Sequence, residues 1–248
     1  MISRFRVELP DGGSAPAVSL TDTKEVSAAL DALELYSPRP TVVVVGGAAG
    51  LDEAGMRHLA PVFEVGIAPV VQRSGAVGID GGTHFGVMRL LGEARKSTRA
   101  TYPLLGVVAV GSVKLRRAQP FSRVDTALEP NHTEFVFVPG EQWGAEAAWI
   151  ARTATALAGT ARSITVLVNG GEIAYGDVEQ SVEAGRCVLV VSGSGGTADV
   201  FARALTGAPV DKRAVALIES GLVRSAPMDD PETIAELLTV AVGESTTT

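Results

Sequence analysis

Apolar runs that end in glycine and then pass into helix-forming sequence recur along this chain. The clearest follows residues 76–80, where Gly81 and Gly82 precede a segment with apolar residues every three or four positions. A continuous run rich in β-branched residues is typical of a strand buried on both faces of a parallel sheet. Three other runs end in the same way, at 41–45, 164–168 and 187–191.

Strands and helices are predicted to alternate. Residues 5–9 should form an edge strand, followed by a Gly/Pro/Ser turn region and a covering helix at 24–35. Residues 114–129 have no clean period and should form a surface excursion. Asp52, Thr83, Thr197 and Asp230 are expected to cap helices, and Gly159 to end one. Further strands are predicted at 104–110 and 135–138, and helices at 52 to about 63 or 64, 83–94, 143–157, 177–183, 197–205 and 231–242.

This alternation predicts an α/β fold of the Rossmann-like, doubly wound kind, with a mainly parallel sheet and helices on both faces. A length of 248 residues suits one large domain. We expect a single domain over 1–248, made of a core at 40–205, an N-terminal strand and helix extension at 1–38, and a C-terminal helical extension at 206–248 with a frayed tail.

Composition limits the partners. The net charge is −7 without long runs of either sign, so bulk nucleic acid is not an expected partner. The N-terminus lacks a signal-peptide pattern and no run approaches the roughly 20 apolar residues that span a bilayer, so we expect a cytoplasmic protein without a membrane partner. The single cysteine, Cys187, is predicted to be a small core residue. A small homo-oligomer, by default a dimer, is the expected assembly.

The glycine turns predict a ligand site. In an open parallel sheet, ligands bind beyond the carboxyl ends of the strands, where all four turns should lie. Paired glycines let main chain approach a ligand, and a following helix offers free N–H groups to a phosphate. None of the turns matches GxGxxG or GxxxxGK[ST], so neither a common dinucleotide fingerprint nor a P-loop is supported. Tight turns need glycine anyway, and for any single pair that explanation is equally good.

Polar residues near the turns have open roles. His84 and His132 either donate a hydrogen bond to a ligand or satisfy local loop carbonyls. No close His/Cys spacing indicates a metal, and no cofactor is expected to be required. Asp80 either binds a ribose hydroxyl or braces its turn, and Asp199 is interpreted as a complement to a helix dipole.

Three segments carry a family resemblance. Residues 81–88 with 92–94, then 128–135, then 193–199 resemble the LSDAT branch of the SLOG superfamily, which includes the N-terminal cytosolic domain of TRPM channels and stand-alone bacterial proteins. The resemblance covers about 40–205. It implies a Rossmann-like fold that binds or senses a nucleotide-derived ligand such as ADP-ribose or an NAD-like molecule, and it does not imply a channel. By matching position it implies these ligand contacts: Gly46, Gly47, Ala48, Gly81, Gly82, Thr83, His84, Phe85, Asn131, His132, Thr133, Gly170, Gly171, Ser192, Gly193, Ser194, Gly195, Gly196 and Thr197.

Catalysis is less clearly indicated. Phosphoribohydrolases of the same superfamily have a glutamate three residues after a Gly-Thr pair, where this chain has Val200. Glu134 also departs from the channel domains, which often have histidine there. Binding or sensing without turnover is therefore the leading hypothesis. The alternatives are a hydrolase of a nucleotide N-glycosidic or phosphoribosyl bond that uses Glu134 or Asp199, and a non-catalytic assembly subunit with a vestigial cleft.

Overall fold

The computed structural model describes residues 2–47, 51–113 and 126–243. Within these residues, nine strands form one sheet, in the order β1-β2-β6-β5-β4-β3-β7-β8-β9. The strands are β1 Arg4–Glu8, β2 Ser14–Ser19, β3 Thr41–Gly46, β4 Val77–Asp80, β5 Leu104–Ala109, β6 Glu134–Val138, β7 Ser163–Val168, β8 Cys187–Ser192 and β9 Val223–Pro227.

The sheet is doubly wound, as predicted. Every neighbouring pair of strands is parallel except the β1–β2 pair at one edge. From β3 the chain moves outward through β4, β5 and β6, then returns to place β7 on the other side of β3. The order of strands therefore reverses between β3 and β7, which is the topological switch point of such a sheet.

Helices cover both faces, because side chains of the central strands alternate between two cores. In β3, Val43 and Val45 pack into one core while Val42 and Val44 pack into the other. The first core is covered by α1 Val26–Ala32, α5 Ala147–Ala158, α6 Ile173–Glu183, α7 Gly196–Leu205 and α8 Lys212–Ile218. The second is covered by α2 Glu53–Pro61, a π-helical segment Val62–Ile67, α3 Ala68–Arg73, α4 Gly86–Ser97 and α9 Pro231–Val242.

Some helix ends are as predicted. The side chain of Asp52 accepts from the N–H of Gly55 at 2.7 Å, and that of Asp230 accepts from Thr233 at 3.0 Å. Gly159, with a φ of 55°, follows the last residue of α5. The other two expected caps are wrong. The position before α4 is Phe85 and the position before α7 is Gly195, so neither Thr83 nor Thr197 caps a helix.

Two strands were missed because each is short and contains proline. The sequence Ser-Ala-Pro-Ala-Val-Ser of β2 was predicted as a turn region, and β9 lies in the extension that was expected to be helical. Proline cannot donate to a strand ladder, so its presence masked both β9, at an edge of the sheet, and β2, which lies between β1 and β6. The helix expected to end near residue 63 instead continues through the π-helical segment into α3, and α5 begins only at Ala147.

Two burial expectations were also wrong. Cys187 is exposed, because it is the first residue of β8 and lies at the end of the sheet rather than inside it. Residues 114–125 of the expected surface excursion lie outside the described residues. At the end of that excursion, Thr126, Leu128 and Glu129 are buried.

Candidate functional site

A cavity of about 530 Å³, called the main cavity below, opens at the carboxyl ends of β3, β4 and β7, at the switch point of the sheet. This volume lies within the range of about 300–1,000 Å³ that is typical of small-molecule sites. Its lining residues come from both faces of the sheet: Val44, Val45, Gly46, Gly81, Phe85, Met88, Thr126, Trp143, Gly144, Glu146, Ile150, Gly171, Glu172, Ile173, Ala174 and Asp177.

The fold requires some of the turn glycines. A Cβ on Gly46 would lie 1.9 Å from the carbonyl oxygen of Val168, so this glycine is needed where β3 meets β7. Gly82 has a φ of +66° and packs against the main chain of Gly106. For these residues a structural role is sufficient.

Gly81 and Gly171 are different, because no contact among the described residues requires them to be glycine. A Cβ on Gly81 would find its nearest neighbour at 3.8 Å, and one on Gly171 would find nothing within 4 Å. Neither has the positive φ that disfavours other residues. Both line the cavity, so their missing side chains leave room inside it.

Two aromatic side chains form one side of the cavity. The ring centroids of Phe85 and Trp143 are 6.4 Å apart, with the ring planes at 69°. Phe85 is 47% exposed, so part of its ring is accessible at the cavity that it lines. This pair offers a planar ligand both a face and an edge to contact.

Two carboxylates, those of Glu146 and Asp177, lie in the same cavity, and neither was predicted as a site residue. Burial raises the pKa of Glu146, although its own main chain and the N–H of Gly144, 3.0 Å from Oε2, act against the shift. Burial, together with the charge of Glu146, raises the pKa of Asp177 to about 7. Perturbed carboxylates in a cleft are characteristic of functional sites.

The rim of the cavity carries an ion-pair network. Arg213 forms a salt bridge with Glu172 and another with Asp211, at 2.8 Å from its Oδ2. Hydrogen bonding by Arg213 lowers the pKa of Glu172. The guanidinium also lies 4.1 Å from the ring centroid of Tyr175. The carboxylate of Glu172 is thus paired with a cation at the rim, unlike the two carboxylates inside, although Arg213 shares its charge between Glu172 and Asp211.

The turn after β8 lines a second cavity, of about 670 Å³, together with Asp199 and Arg203. Ser192, Gly193 and Gly196 are the predicted contacts that reach it. Asp199 lies in the first turn of α7, as expected beside a helix dipole, and accepts from the N–H of Gly193 at 2.7 Å.

The remaining residues of this turn hold it against the turn after β7. The side-chain amide of Asn169 donates to the carbonyl of Ser194, whose hydroxyl accepts from the N–H of Asn169, both at 2.7 Å. The hydroxyl of Thr197 donates to the carbonyl of Gly171 at 2.7 Å. Gly170 and Gly195 adopt positive φ in these turns. Asn169 itself was not singled out in the sequence.

The segment from Asn131 to Thr133 does not reach the main cavity. His132 has no exposed side-chain surface, and its two ring nitrogens lie 2.7 Å from Asp80 and 2.8 Å from Glu129. Burial alone would lower the pKa of His132, but the charges and hydrogen bonds of these carboxylates raise it to about 9. The ring therefore satisfies buried carboxylates, rather than a ligand or loop carbonyls, and Asp80 braces its turn by accepting from Gly82 at 2.7 Å.

The other predicted polar contacts are also displaced. Thr133 precedes β6 and hydrogen-bonds to the main chain of Leu104, at the amino end of β5. Glu134 is the first residue of β6, so it lies at the amino ends of the strands, whereas the cavity lies at their carboxyl ends. It therefore cannot serve as the acid in the cavity. Asn131 donates to Glu129.

Thr83 pairs with Leu128 in an isolated bridge, and its buried hydroxyl has no partner among the described residues. The Nδ1 of His84 faces Glu129 at 3.9 Å, while 39% of its side chain is exposed. Gly47 accepts from the N–H of Val87, which joins the turn after β3 to α4. Ala48 lies outside the described residues.

Of the predicted contacts, the main cavity is lined by Gly46, Gly81, Phe85 and Gly171. The most distinctive groups in it, Trp143, Glu146 and Asp177, were missed. A usable signal was present: Trp143 and Glu146 follow the carboxyl end of β6, and Asp177 lies one turn beyond Ile173 on α6. Loops that follow strand ends therefore carry candidate site residues as the glycine turns do.

The fold and this cavity define a doubly wound α/β domain with a ligand-sized opening at its switch point. The chain belongs to the family described as "SLOG in TRPM, prokaryote", whose model matches residues 39–236. The match thus extends beyond the 40–205 of the sequence resemblance and includes most of the C-terminal extension.

Individual relatives agree with this assignment. The chain is 26% identical over 220 residues to transient receptor potential cation channel subfamily M member 2 of Mus musculus and, equally, of Rattus norvegicus. The alignment covers 75% of this chain and 14% of each channel, so the chain spans a small part of their length. Among solved structures, the X-ray structure of TM1055, a structural genomics target, is similar with a TM-score of 0.51 and 18% identity, covering 80% of this chain and 99% of that one. That likeness concerns the fold.

Proposed function

We propose that this domain binds or senses a nucleotide-derived small molecule, of the ADP-ribose or NAD-like class, in the cavity at the carboxyl ends of β3, β4 and β7. The observation that carries the proposal is the pair Gly81 and Gly171. Both line the cavity at the switch point, and packing does not require either to be glycine. A ligand in contact with the main chain would explain both.

The amino end of α6 supports a phosphate-bearing ligand. This helix has 11 residues and begins directly after Gly171 and Glu172. In the described part of the chain, no acceptor takes the main-chain N–H of either residue. Such N–H groups, with the positive end of the helix dipole, favour an anion. Because Arg213 pairs with Glu172, it offsets part of the repulsion between that carboxylate and a phosphate at the rim.

Thermal unfolding with a panel of ADP-ribose, NAD, AMP and related compounds tests the proposal. A ligand at about 100 times its Kd stabilises by roughly 2.7 kcal/mol, which raises Tm by about 5–10 °C in a domain of this size. Gly171→Leu should abolish the shift by filling the cavity. Gly176→Leu is the matched control, because that glycine of α6 also has nothing within 4 Å and does not line the cavity. No shift with any compound would instead support an assembly subunit with a vestigial cleft.

A second candidate is hydrolysis of an N-glycosidic bond, which the pair of cavity carboxylates favours. An ionised carboxylate of Glu146 or Asp177 would take a proton from water as the water oxygen bonds to the ribose carbon. The carbon–nitrogen bond would break with its electron pair leaving on the base, and the neutral partner would supply a proton where that base needs one. This replaces Glu134 as the acid. Chromatography of the same incubations detects cleaved base, and its loss in Asp177→Asn would assign the activity to this cavity.

Assembly and location complete the proposal. Within the described residues, no helix is long and apolar enough to cross a membrane. We retain the cytoplasmic homodimer without bound nucleic acid as a proposal, tested by analytical ultracentrifugation with and without ligand and by fractionation of cells.

A further inference from the structure

The described side chains that line the main cavity include acidic and aromatic groups. Glu146 and Asp177 contribute carboxylates to the interior, and Phe85 and Trp143 contribute aromatic rings. No Lys, Arg or His occurs among the described residues that line it. The described part of its lining therefore suits a cation better than a phosphate, in contrast to the amino end of α6 at the rim.

Asp177 is the most informative of these groups. Its side chain is half-buried in the wall of the cavity, and its carboxylate accepts no hydrogen bond from any described residue. Burying a charged group without a partner is costly. Glu146, which acts on Asp177 through its charge, adds to that cost rather than relieving it. A ligand that supplies positive charge or a donor would relieve it.

The aromatic pair narrows the choice of ligand group. A flat cation gains from the aromatic face that Phe85 and Trp143 offer as well as from the carboxylates, because the face of an aromatic ring attracts cations through its quadrupole. A neutral base would gain only the stacking. An anion would be repelled by both carboxylates at short range in a site of low polarity.

Building on the proposed function, we infer that the end of the ligand that enters the cavity is a ribose bearing a positively charged base, of the N-ribosylpyridinium class. Asp177 and Glu146 oppose the charge, and Phe85 and Trp143 cover the ring. The phosphates of the same ligand remain outside, at the amino end of α6. Charge on the base thus becomes the feature by which the cavity selects its ligand.

Isothermal titration calorimetry at pH 8 with a matched pair of probes tests this inference. Nicotinamide riboside carries the cationic pyridinium, and its reduced dihydro form has nearly the same shape without the charge. The intact protein should bind the cation more tightly by about tenfold or more, as a desolvated cation–π contact and an ion pair allow. In Asp177→Asn the ratio of affinities should fall to about threefold or less. Glu146→Gln should reduce it as well.

Glu179→Gln is the matched control, because it removes an exposed carboxylate two residues away on the same helix. It should keep the full preference. Equal affinity of the intact protein for the two probes, no binding of either, or a preference that survives in Asp177→Asn with Glu146→Gln would overturn the inference. Circular dichroism establishes that the variants are folded.

Adding ADP-ribose to the same titrations separates this inference from the proposed function. Binding of ADP-ribose without discrimination between the riboside probes would leave the proposed function standing and remove the inference. Binding of the cationic riboside, with no nucleotide bound, would support the cation site and contradict the nucleotide proposal.

Discussion

The Nε2 atom of His132 lies 2.7 Å from Oδ1 of Asp80, although 52 residues separate the two in sequence. Glu129 completes the contact on the other side of the ring, and all three side chains are fully buried. Because Asp80 also accepts from Gly82, this ion cluster fixes the turn whose first glycine lines the cavity. The histidine thus acts on the candidate site through the turn rather than by contact.

Replacing His132 should destabilise the fold strongly. His132→Gln leaves two buried carboxylates without their cation, and breaking a buried ion pair from one side costs about 3–5 kcal/mol. Urea denaturation at pH 7 measures the change in the free energy of unfolding. His58→Gln, at an exposed position of α2, is the control and should change it by less than about 0.5 kcal/mol. A loss below 1 kcal/mol for His132→Gln would contradict the ion cluster.

The same histidine should make stability depend on alkaline pH. Its pKa in the folded protein, about 9, lies above the ordinary value of 6.5. The folded state therefore holds the proton more tightly, so this stabilisation is present in full below pH 6.5 and is lost as pH rises through 9. The free energy of unfolding should fall by roughly 2–3 kcal/mol more between pH 7 and pH 9.5 in the intact protein than in His132→Gln. Parallel curves would count against a protonated ring.

Asp177 should have the opposite effect on stability from a structural carboxylate. Burial, followed by the charge of Glu146, raises the pKa of Asp177 from 3.8 to about 7. Its stabilising contribution to the free energy of unfolding is therefore present at low pH and is lost as pH rises through 7. Asp177→Asn should therefore stabilise the protein at pH 8, by about 1–3 kcal/mol, and less at pH 5. Glu179→Gln should show no such dependence. If Asp177→Asn were destabilising at pH 8, the carboxylate would have a structural partner.

The fold class was predictable because long apolar runs with glycine ends repeat, and right-handed crossovers between parallel strands place helices on both faces of the sheet. The residues of the candidate site were less predictable from the sequence. Gly81 and Gly171 could be proposed from sequence, but only the packing around each glycine separates them from Gly46 and Gly82, which the fold itself needs. His132 was misplaced because its partner Asp80 is distant in sequence. Asp177 is a single acid on an ordinary helix until tertiary structure puts it beside Glu146.

Glycine substitutions should separate ligand contact from structural need. Gly81→Ala and Gly171→Ala should keep Tm within a few degrees, since no close contact or positive φ opposes them. They should nevertheless weaken binding of any nucleotide that shifts the intact protein. Gly196→Ala should instead destabilise by more than about 2 kcal/mol, because its φ is +55° and its Cβ would lie 2.1 Å from the carbonyl oxygen of Gly170. Thermal unfolding with and without ligand measures both effects, and unimpaired binding in the first two variants would refute their role.

Gly92 should be the exception to the rule that alanine stabilises a helix. In the middle of α4, a Cβ at this position would lie 2.1–2.5 Å from the carboxylate of Glu129, which is held by His132 and Asn131 and cannot move aside. Gly92→Ala should therefore cost more than about 2 kcal/mol, despite the gain of up to about 1 kcal/mol that alanine normally brings to a helix. Gly176→Ala is the matched control: it lies inside α6 with nothing within 4 Å of its Cβ, so it should stabilise by about 0.4–1 kcal/mol. Chemical denaturation of the two variants compares them directly. Equal effects would mean that Glu129 can leave its place against α4, and the buried cluster would then be looser than its hydrogen bonds indicate.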